Sequence, residues 1–233
     1  MESLKIQALI GLLVFLSSRA LSLPSWVQPS PSLAYISLQR ELSLKSGDFF
    51  KRVVRRVGNN TIDLEGYAAL GGTLHNFYEI AKDVPSYRQW ALNGINQKPG
   101  GGKYLVQILD LKPHPKRTHV LGALFGINFP GIQAKVEKDF LIHVGKDRQS
   151  VTVACESLQA PDLILSSLHG FITAFEAPKK KERLWIYFKG RALLRSWLLY
   201  QALPEKLLST ESSERIQTVL DNFTGEEIKK PFK

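Results

Sequence analysis

Apolar and polar residues alternate along most of the middle of the chain, which is the period of half-buried strands. Ile62 and Leu64, for example, alternate with Asp63 and Glu65. The pattern predicts eight strands, at residues 49–57, 61–69, 104–111, 118–127, 134–144, 150–157, 168–177 and 183–189. Compact breaks separate them, and the first, at residues 58–60, tolerates positive backbone φ and therefore predicts a hairpin.

Residues 66–94 interrupt this alternation after the second strand. Thr73 is a suitable N-cap and predicts a helix over residues 74–82. A shorter helical turn follows, which contains Pro85, Tyr87 and Trp90, and residues 93–94 are expected to end it. Two short helices are therefore expected between strands, with their aromatic side chains directed back at the sheet.

Helical spacing returns at the C-terminus, over residues 193–203 and 204–223. Apolar residues form one stripe, which contains Leu207, Leu208, Ile216, Val219, Leu220 and Phe223. Pro204 is expected to kink or restart the helix, because its ring removes one backbone donor and crowds the preceding turn. Such a stripe predicts a helix that covers the sheet.

The first 22 residues have the features of a cleaved signal peptide. Lys5 precedes an apolar run at residues 6–16, and small residues lie at Ala20 and Ser22. The run is short for a membrane span, so we expect cleavage after Ser22 and export to a periplasm or by secretion. A lead with a short helix is predicted at residues 23–46, a domain at 47–225 and a tail at 226–233.

The amino-acid composition shows an excess of basic over acidic residues and a single cysteine. The formal net charge is +10. A positive surface suits contact with an anionic membrane more than with nucleic acid in an exported protein, although diffuse charge can serve solubility alone. Cys155 is the only cysteine, so no internal disulfide can form, and its place in an alternating strand favours a buried apolar role.

Catalytic motifs are lacking from the sequence. It contains no His-Glu-x-x-His, Gly-x-Ser-x-Gly or Cys-x-x-Cys. The glycine run at residues 100–103 is followed by Tyr104, where a phosphate-binding loop needs Ser or Thr, and therefore predicts a turn. Its five histidines are scattered over different elements. No cofactor or metal is expected.

In three places the chain resembles the START domain family and the wider helix-grip superfamily of lipid-binding and polyketide-cyclase-like proteins. Asp83, Tyr87 and Trp90 match the Asp-x-x-x-Tyr-x-x-Trp pattern. Residues 129–130 and 138–140 resemble the Pro-rich lead into an Arg-Asp-Phe strand, and residues 197–223 resemble the closing helix. Lys138 replaces the usual Arg and cannot hold a carboxylate in a planar fork.

The resemblance implies an α+β helix-grip fold, with a curved antiparallel sheet around a long C-terminal helix and an apolar cavity between them. The protein would be a monomer that binds a lipid or other hydrophobic small molecule. Expected lining residues are Trp90, Tyr104, Val106, Asp139, Phe140, Ile142, Val153, Phe171, Trp185, Leu207, Leu208 and Ile216. Ordinary core is an alternative role for each of them, and strand alternation alone does not fix which face looks inward.

Two other functions are compatible with this scaffold. A cyclase or dehydratase would place polar groups inside the cavity, and Asp139, His143 and Glu156 are the candidates. An interaction protein would have a cavity that is filled as core.

For lipid exchange, residues 125–132 and 158–165 are expected to form apolar lips at a membrane. Leu163 and Ile164 are their expected contacts, and cations at Lys179, Lys180 and Lys181, or in residues 112–117, would supply electrostatic attraction.

Changing both Leu163 and Ile164 to Asp should lower extraction of lipid from liposomes, because charge opposes insertion of the lip into a bilayer. The measurement is transfer of a labelled lipid. Unchanged transfer by a folded variant would exclude these residues as lips.

Overall fold

The structure is a computed structural model that describes residues 23–27, 50–58, 60–98, 104–129, 132–158, 165–177, 182–195, 211 and 214–223. Its strands are β1 (Phe50–Val57), β2 (Thr61–Gly71), β3 (Val106–His114), β4 (Arg117–Phe129), β5 (Ile132–Lys146), β6 (Ser150–Ser157), β7 (Leu165–Glu176) and β8 (Arg183–Leu194). Its helices are α1 (Leu74–Lys82), a 3-10 turn (Val84–Ser86), α2 (Tyr87–Trp90) and α3, which comprises residues 214–223. Among the described residues, no helix is long and apolar enough to cross a bilayer.

All eight strands join in one curved antiparallel sheet of order β1-β2-β8-β7-β6-β5-β4-β3. The register places Ala68, Ile186, Ala174 and Val151 in one row across β2, β8, β7 and β6. All four are buried. This row defines the concave face, because its side chains belong to the same core cluster as the buried residues of the helices. Alternate residues point to the opposite, outer face.

Helix α1 covers one end of the concave face. Thr73 caps it by accepting a hydrogen bond from the Asn76 N–H at 3.2 Å. Leu74, Phe77 and Ile80 recur at helical spacing and are buried. The helix follows the end of β2 and packs on β5, β6 and β7. We call this the closed end of the sheet; it also carries the β3–β4, β5–β6 and β7–β8 connections.

The opposite end, here called the open end, carries the β1–β2, β4–β5 and β6–β7 connections. Helix α3 runs between the two ends. Near its start, Glu214 accepts a hydrogen bond from the Tyr104 hydroxyl at 2.9 Å, and Arg215 donates to the carbonyl of Val106, the first residue of β3. Near its end, the Phe223 ring lies 4.8 Å from that of Phe77 in α1.

Several predicted elements are confirmed. Helix α1 and strand β6 have the predicted bounds, and Gly58 forms the first hairpin turn with a φ of 65°. Strand β8 is longer than predicted and includes Leu193, so the predicted start of the C-terminal helix at that residue is wrong. Tyr104 precedes β3 and is not part of it. Pairing with β2 and β7 along the whole length of β8 explains the extra strand residues.

The long C-terminal helix is not confirmed, because the described helix α3 spans residues 214–223 and most of the preceding part lies outside the described residues. The predicted signal peptide, the short helix of the lead and the C-terminal tail also lie outside them.

Two paired glycines on β7 and β8 differ in the space around them. A Cβ on Gly170 would lie 2.9 Å from the Lys189 carbonyl oxygen, whereas a Cβ on Gly190 would have its nearest neighbour, the His169 carbonyl oxygen, at 3.7 Å. Gly170→Ala should therefore lower the free energy of unfolding by about 1–3 kcal/mol, because backbone must move. Gly190→Ala should change it by less than about 1 kcal/mol. Urea unfolding of both variants measures this difference, and equal losses would contradict it.

Candidate ligand-binding site

The concave face is filled at the closed end and only half-buried toward the open end. The row that contains Val151 and Ala174 is fully buried. One row further, Val153 pairs with Ile172, and both are half-buried; next come Cys155 and Gly170, also half-buried. The side chains of Val153, Ile172 and Cys155 lie on the same face as the core, yet they retain accessible surface. The described helices therefore cover this part of the sheet incompletely.

Helix α3 shows the same gradient. Leu220 and Phe223, near the closed end, are buried, whereas Ile216, nearer the open end, is half-buried. The half-buried apolar side chains that pack against the core cluster are Tyr78, Tyr87, Leu92, Ile108, Phe125, Val144, Val153, Cys155, Leu168, Ile172, Ile216 and Val219. We refer to the incompletely covered region between the central strands and α3 as the cavity.

Trp90 packs against the end of α3. It is buried, and its ring lies 5.3 Å from Tyr87 and 5.9 Å from Phe223, edge to face in both cases. Its indole N–H donates to the Ser86 hydroxyl at 3.4 Å. The Tyr87 hydroxyl donates to the Ala81 carbonyl. The aromatic residues of the Asp-x-x-x-Tyr-x-x-Trp pattern therefore hold α2 against α1 and α3.

The polar groups that the structure describes on the cavity side are neutral or interact with other groups of the protein. Burial, followed by the charge of Glu156, raises the pKa of the Cys155 thiol to about 11. Burial also raises the pKa of the Tyr87 phenol, with smaller contributions from Cys155 and Asp83. Lys138 is almost fully buried in a concave row, opposite Ala123, and interacts with other groups of the protein.

Of the residues predicted to line the cavity, Phe140, Ile142, Val153 and Ile216 belong to the core on the concave side or pack against it. Val106 is half-buried at the start of β3, and Tyr104 is buried beside α3, where it is held between Arg215 and Lys98 at 4.3 and 5.1 Å from its ring centroid. Whether any of these residues contacts a ligand remains a prediction. Leu207 and Leu208 lie outside the described residues.

The expectation that Asp139, Phe171 and Trp185 face the same cavity is wrong. Phe171 and Trp185 belong to a second apolar cluster on the outer face, together with Trp26 and Val27 of the N-terminal segment. Asp139 alternates with the concave residues Lys138 and Phe140 and lies on the outer face too. It lines a surface pocket of about 210 Å³ with Lys112, His114 and Glu137.

His143 and Glu156 also face outward. The His143 Nε2 and Glu156 Oε1 atoms are 3.2 Å apart, and the Trp26 indole N–H donates to Glu156 Oε2 at 3.2 Å. The Trp26 ring lies 4.8 Å from the His169 ring at a tilt of 50°, and the pKa of His169 is lowered by burial and by Arg191. The three polar candidates for a cyclase are thus separated from the cavity by the sheet itself.

Sequence reasoning missed Ile172, Leu168 and Cys155 as cavity-facing residues. Both faces of β7 carry apolar residues, so alternation alone does not show which of its side chains point toward the core. The strand register shows which side chains do, because the cavity-facing Val153 on β6 pairs with Ile172 and not with Phe171.

The predicted lips and cations occupy opposite ends. The β4–β5 and β6–β7 connections are both on the open-end side of the sheet, whereas residues 112–117 and the strand ends that flank residues 178–181 lie at the closed end. Leu163, Ile164, Lys179, Lys180 and Lys181 themselves lie outside the described residues.

A curved antiparallel sheet with helices on its concave face and a partly open apolar interior defines a START-like helix-grip fold. A STAR-related lipid transfer protein from Xanthomonas axonopodis has this fold with a TM-score of 0.51 and 13% identity, over 78% of this chain and 96% of that chain. The Zhui aromatase/cyclase from a Streptomyces species aligns with a TM-score of 0.42 and 14% identity, over 77% and 94% of the two chains. Neither a protein-family profile nor a curated protein matches this chain by sequence.

Cys155 provides a chemical test of the cavity, because it is the only thiol. With a pKa of about 11, almost none of it is thiolate at pH 8. Its reaction with a water-soluble disulfide reagent at pH 8 should be roughly two orders of magnitude slower than in urea-unfolded protein, where the pKa returns to about 8.5. The rate in folded protein should rise about tenfold per pH unit until pH approaches the thiol pKa. A fast, pH-independent reaction would contradict the described environment.

Proposed function

We propose that the protein binds a lipid or another hydrophobic ligand in the cavity and carries it outside the cytoplasm. The observation that carries this proposal is the half-buried apolar surface of Val153, Cys155, Ile172 and Ile216 on the core side of the sheet. Apolar side chains that keep accessible surface in an interior are complementary to an apolar ligand. The fold shared with a STAR-related lipid transfer protein supports the same assignment.

Burial of an acyl or polyisoprenoid chain would supply the binding energy, at about 0.8 kcal/mol for each CH₂ removed from water. A bilayer buries the same chain equally well. Extraction therefore requires the cavity to shield most of the chain, and the ligand should enter with its apolar part toward Trp90 and keep any polar group near the open end.

A binding role is favoured over catalysis by the position of the polar groups. Asp139, His143 and Glu156 lie on the outer face. On the cavity side, among the described residues, the Cys155 thiol is protonated at neutral pH, the Tyr87 hydroxyl donates to a backbone carbonyl, and the buried Lys138 interacts with other groups of the protein. General acid–base chemistry requires a group within reach of the substrate whose pKa lies near the working pH. We therefore propose a carrier and not a cyclase or dehydratase.

The export part of the proposal is supported by residues 1–22, where a basic residue precedes an apolar run and a small-residue cleavage pattern.

Stepwise filling of the cavity at Val153 tests the binding function. Val153→Phe and Val153→Trp should weaken binding of a fluorescent fatty-acid analogue by about tenfold or more, because each displaces two or three ligand CH₂ groups. Val153→Ile, which adds one methylene, is the matched control and should stay within about fourfold, the equivalent of one CH₂ group. Fluorescence titration measures affinity, and circular dichroism checks folding. Unchanged affinity of a folded Val153→Trp variant would exclude this cavity as the binding site.

A further inference from the structure

A short segment near the N-terminus crosses the outer face of the sheet, opposite the cavity. We call residues 23–27 the N-terminal strap. Leu23 lies over β5, because a Cβ on Gly145 would come within 3.0 Å of its side chain. Val27 is 7% exposed and belongs to the outer apolar cluster with Phe171 of β7. The N-terminal strap is therefore packed across the sheet from β5 to β7.

Trp26 makes the polar contacts of the N-terminal strap. Its indole N–H donates to Glu156 Oε2 at 3.2 Å, and its ring lies 4.8 Å from that of His169. The other carboxylate oxygen of Glu156 lies 3.2 Å from His143 Nε2, whereas His143 Nδ1 is buried and has no hydrogen-bond partner among the described residues. The neutral tautomer with its hydrogen on Nε2 fits these contacts, because it leaves no buried N–H unpaired. Glu156 thus accepts from both the strap and β5.

Strand register places Glu156 and His169 directly opposite each other. They are Cα partners on β6 and β7, and the same row continues to Arg191 on β8 and Asp63 on β2. Side chains in such pairs have their Cβ atoms about 5 Å apart. Asp63 holds Arg191 through two hydrogen bonds, at 2.6 and 2.7 Å. His169 therefore lies between a cation and a carboxylate, and Trp26 contacts both His169 and that carboxylate.

We propose that the N-terminal strap is a pH-sensitive latch that opens when His169 is protonated. A charged His169 ring would attract the carboxylate of Glu156 opposite it and would compete with the Trp26 N–H for that carboxylate. Loss of this hydrogen bond would weaken the hold of the strap on β6 and β7. Release would uncover apolar side chains of the outer cluster, such as Phe171. The sheet separates the latch from the cavity, so the latch does not depend on the proposed ligand.

Proton linkage gives the direction of the effect. Burial, followed by the charge of Arg191, lowers the pKa of His169, whereas Asp63 and Glu156 act in the opposite direction. The N-terminal strap contributes to this burial and carries no charged side chain. His169 therefore binds a proton more readily after release, so docking is strongest above the ordinary pKa of 6.5 and weakens as pH falls below it. A protonated His143 would keep its contact with Glu156 and would not drive release.

NMR titration of ring-labelled histidines tests this linkage. In Gly145→Val, the new side chain takes the place of Leu23 and should displace the strap. The pKa of His169 should then rise toward its ordinary value, because the covering indole ring is gone. His119, an exposed histidine of β4, should titrate identically in both proteins and is the internal control. Trp26→Ala is a second variant, which removes the ring beside His169 and leaves β5 unchanged.

Hydrogen–deuterium exchange of residues 23–27 measures the latch itself. After correction for intrinsic exchange, protection in the wild-type protein should fall between pH 7.5 and pH 5, by up to about tenfold for each unit of the measured pKa difference, because the two effects are linked. His169→Gln should remove this pH dependence, whereas His119→Gln should retain it.

An unchanged His169 pKa in the folded variants, with circular dichroism as the check on folding, would overturn the proposal. Protection that is independent of pH, or that rises in acid, would overturn it too, since a protonated His169 would then hold the Trp26 ring by a cation–π contact. Equal loss of the pH dependence in His169→Gln and His119→Gln would also contradict it.

Discussion

The structure depends on how the concave face of the sheet is covered. Eight strands present one curved apolar face, and the chain places α1, the 3-10 turn and α2 across only one end of it. Ile80 and Val84 are buried there without appreciable exposure. Helix α3 covers part of the remaining face, where several apolar side chains stay half-buried. In the proposed function, a ligand covers these side chains, because exposed apolar surface in water is costly. The cavity thus arises because the described helices cover the concave face of the sheet only in part.

The outer face carries its own apolar cluster and its own polar groups, and the sheet separates these groups from the cavity. A helix-covered sheet can leave its second face polar, but here Val27 and Phe171 form a second apolar cluster beside the paired His143 and Glu156. Thr152 and Thr173 are buried nearby and share a hydrogen bond at 3.0 Å. These polar groups stabilise the packing of the N-terminal segment on the sheet, where Trp26 is hydrogen-bonded to Glu156.

Much of the architecture could be read from the sequence, because local signals determine it. The Thr73 cap and the apolar spacing that follows define α1, and alternation defines β6, with bounds that the structure confirms. The inward face of β7 could not be read, because Phe171 and Ile172 are both apolar and only strand register distinguishes them. The same limit placed Asp139 inside, since a single polar residue on a strand carries no information about which face is covered.

Native mass spectrometry of the protein purified from its own host tests the central claim most directly. The account predicts a mass in excess of the polypeptide that is lost on denaturation and corresponds to a stoichiometric hydrophobic molecule. Protein that carries no such molecule, and that also fails to take one up from added lipid, would contradict it and would make the half-buried concave face an incompletely packed core.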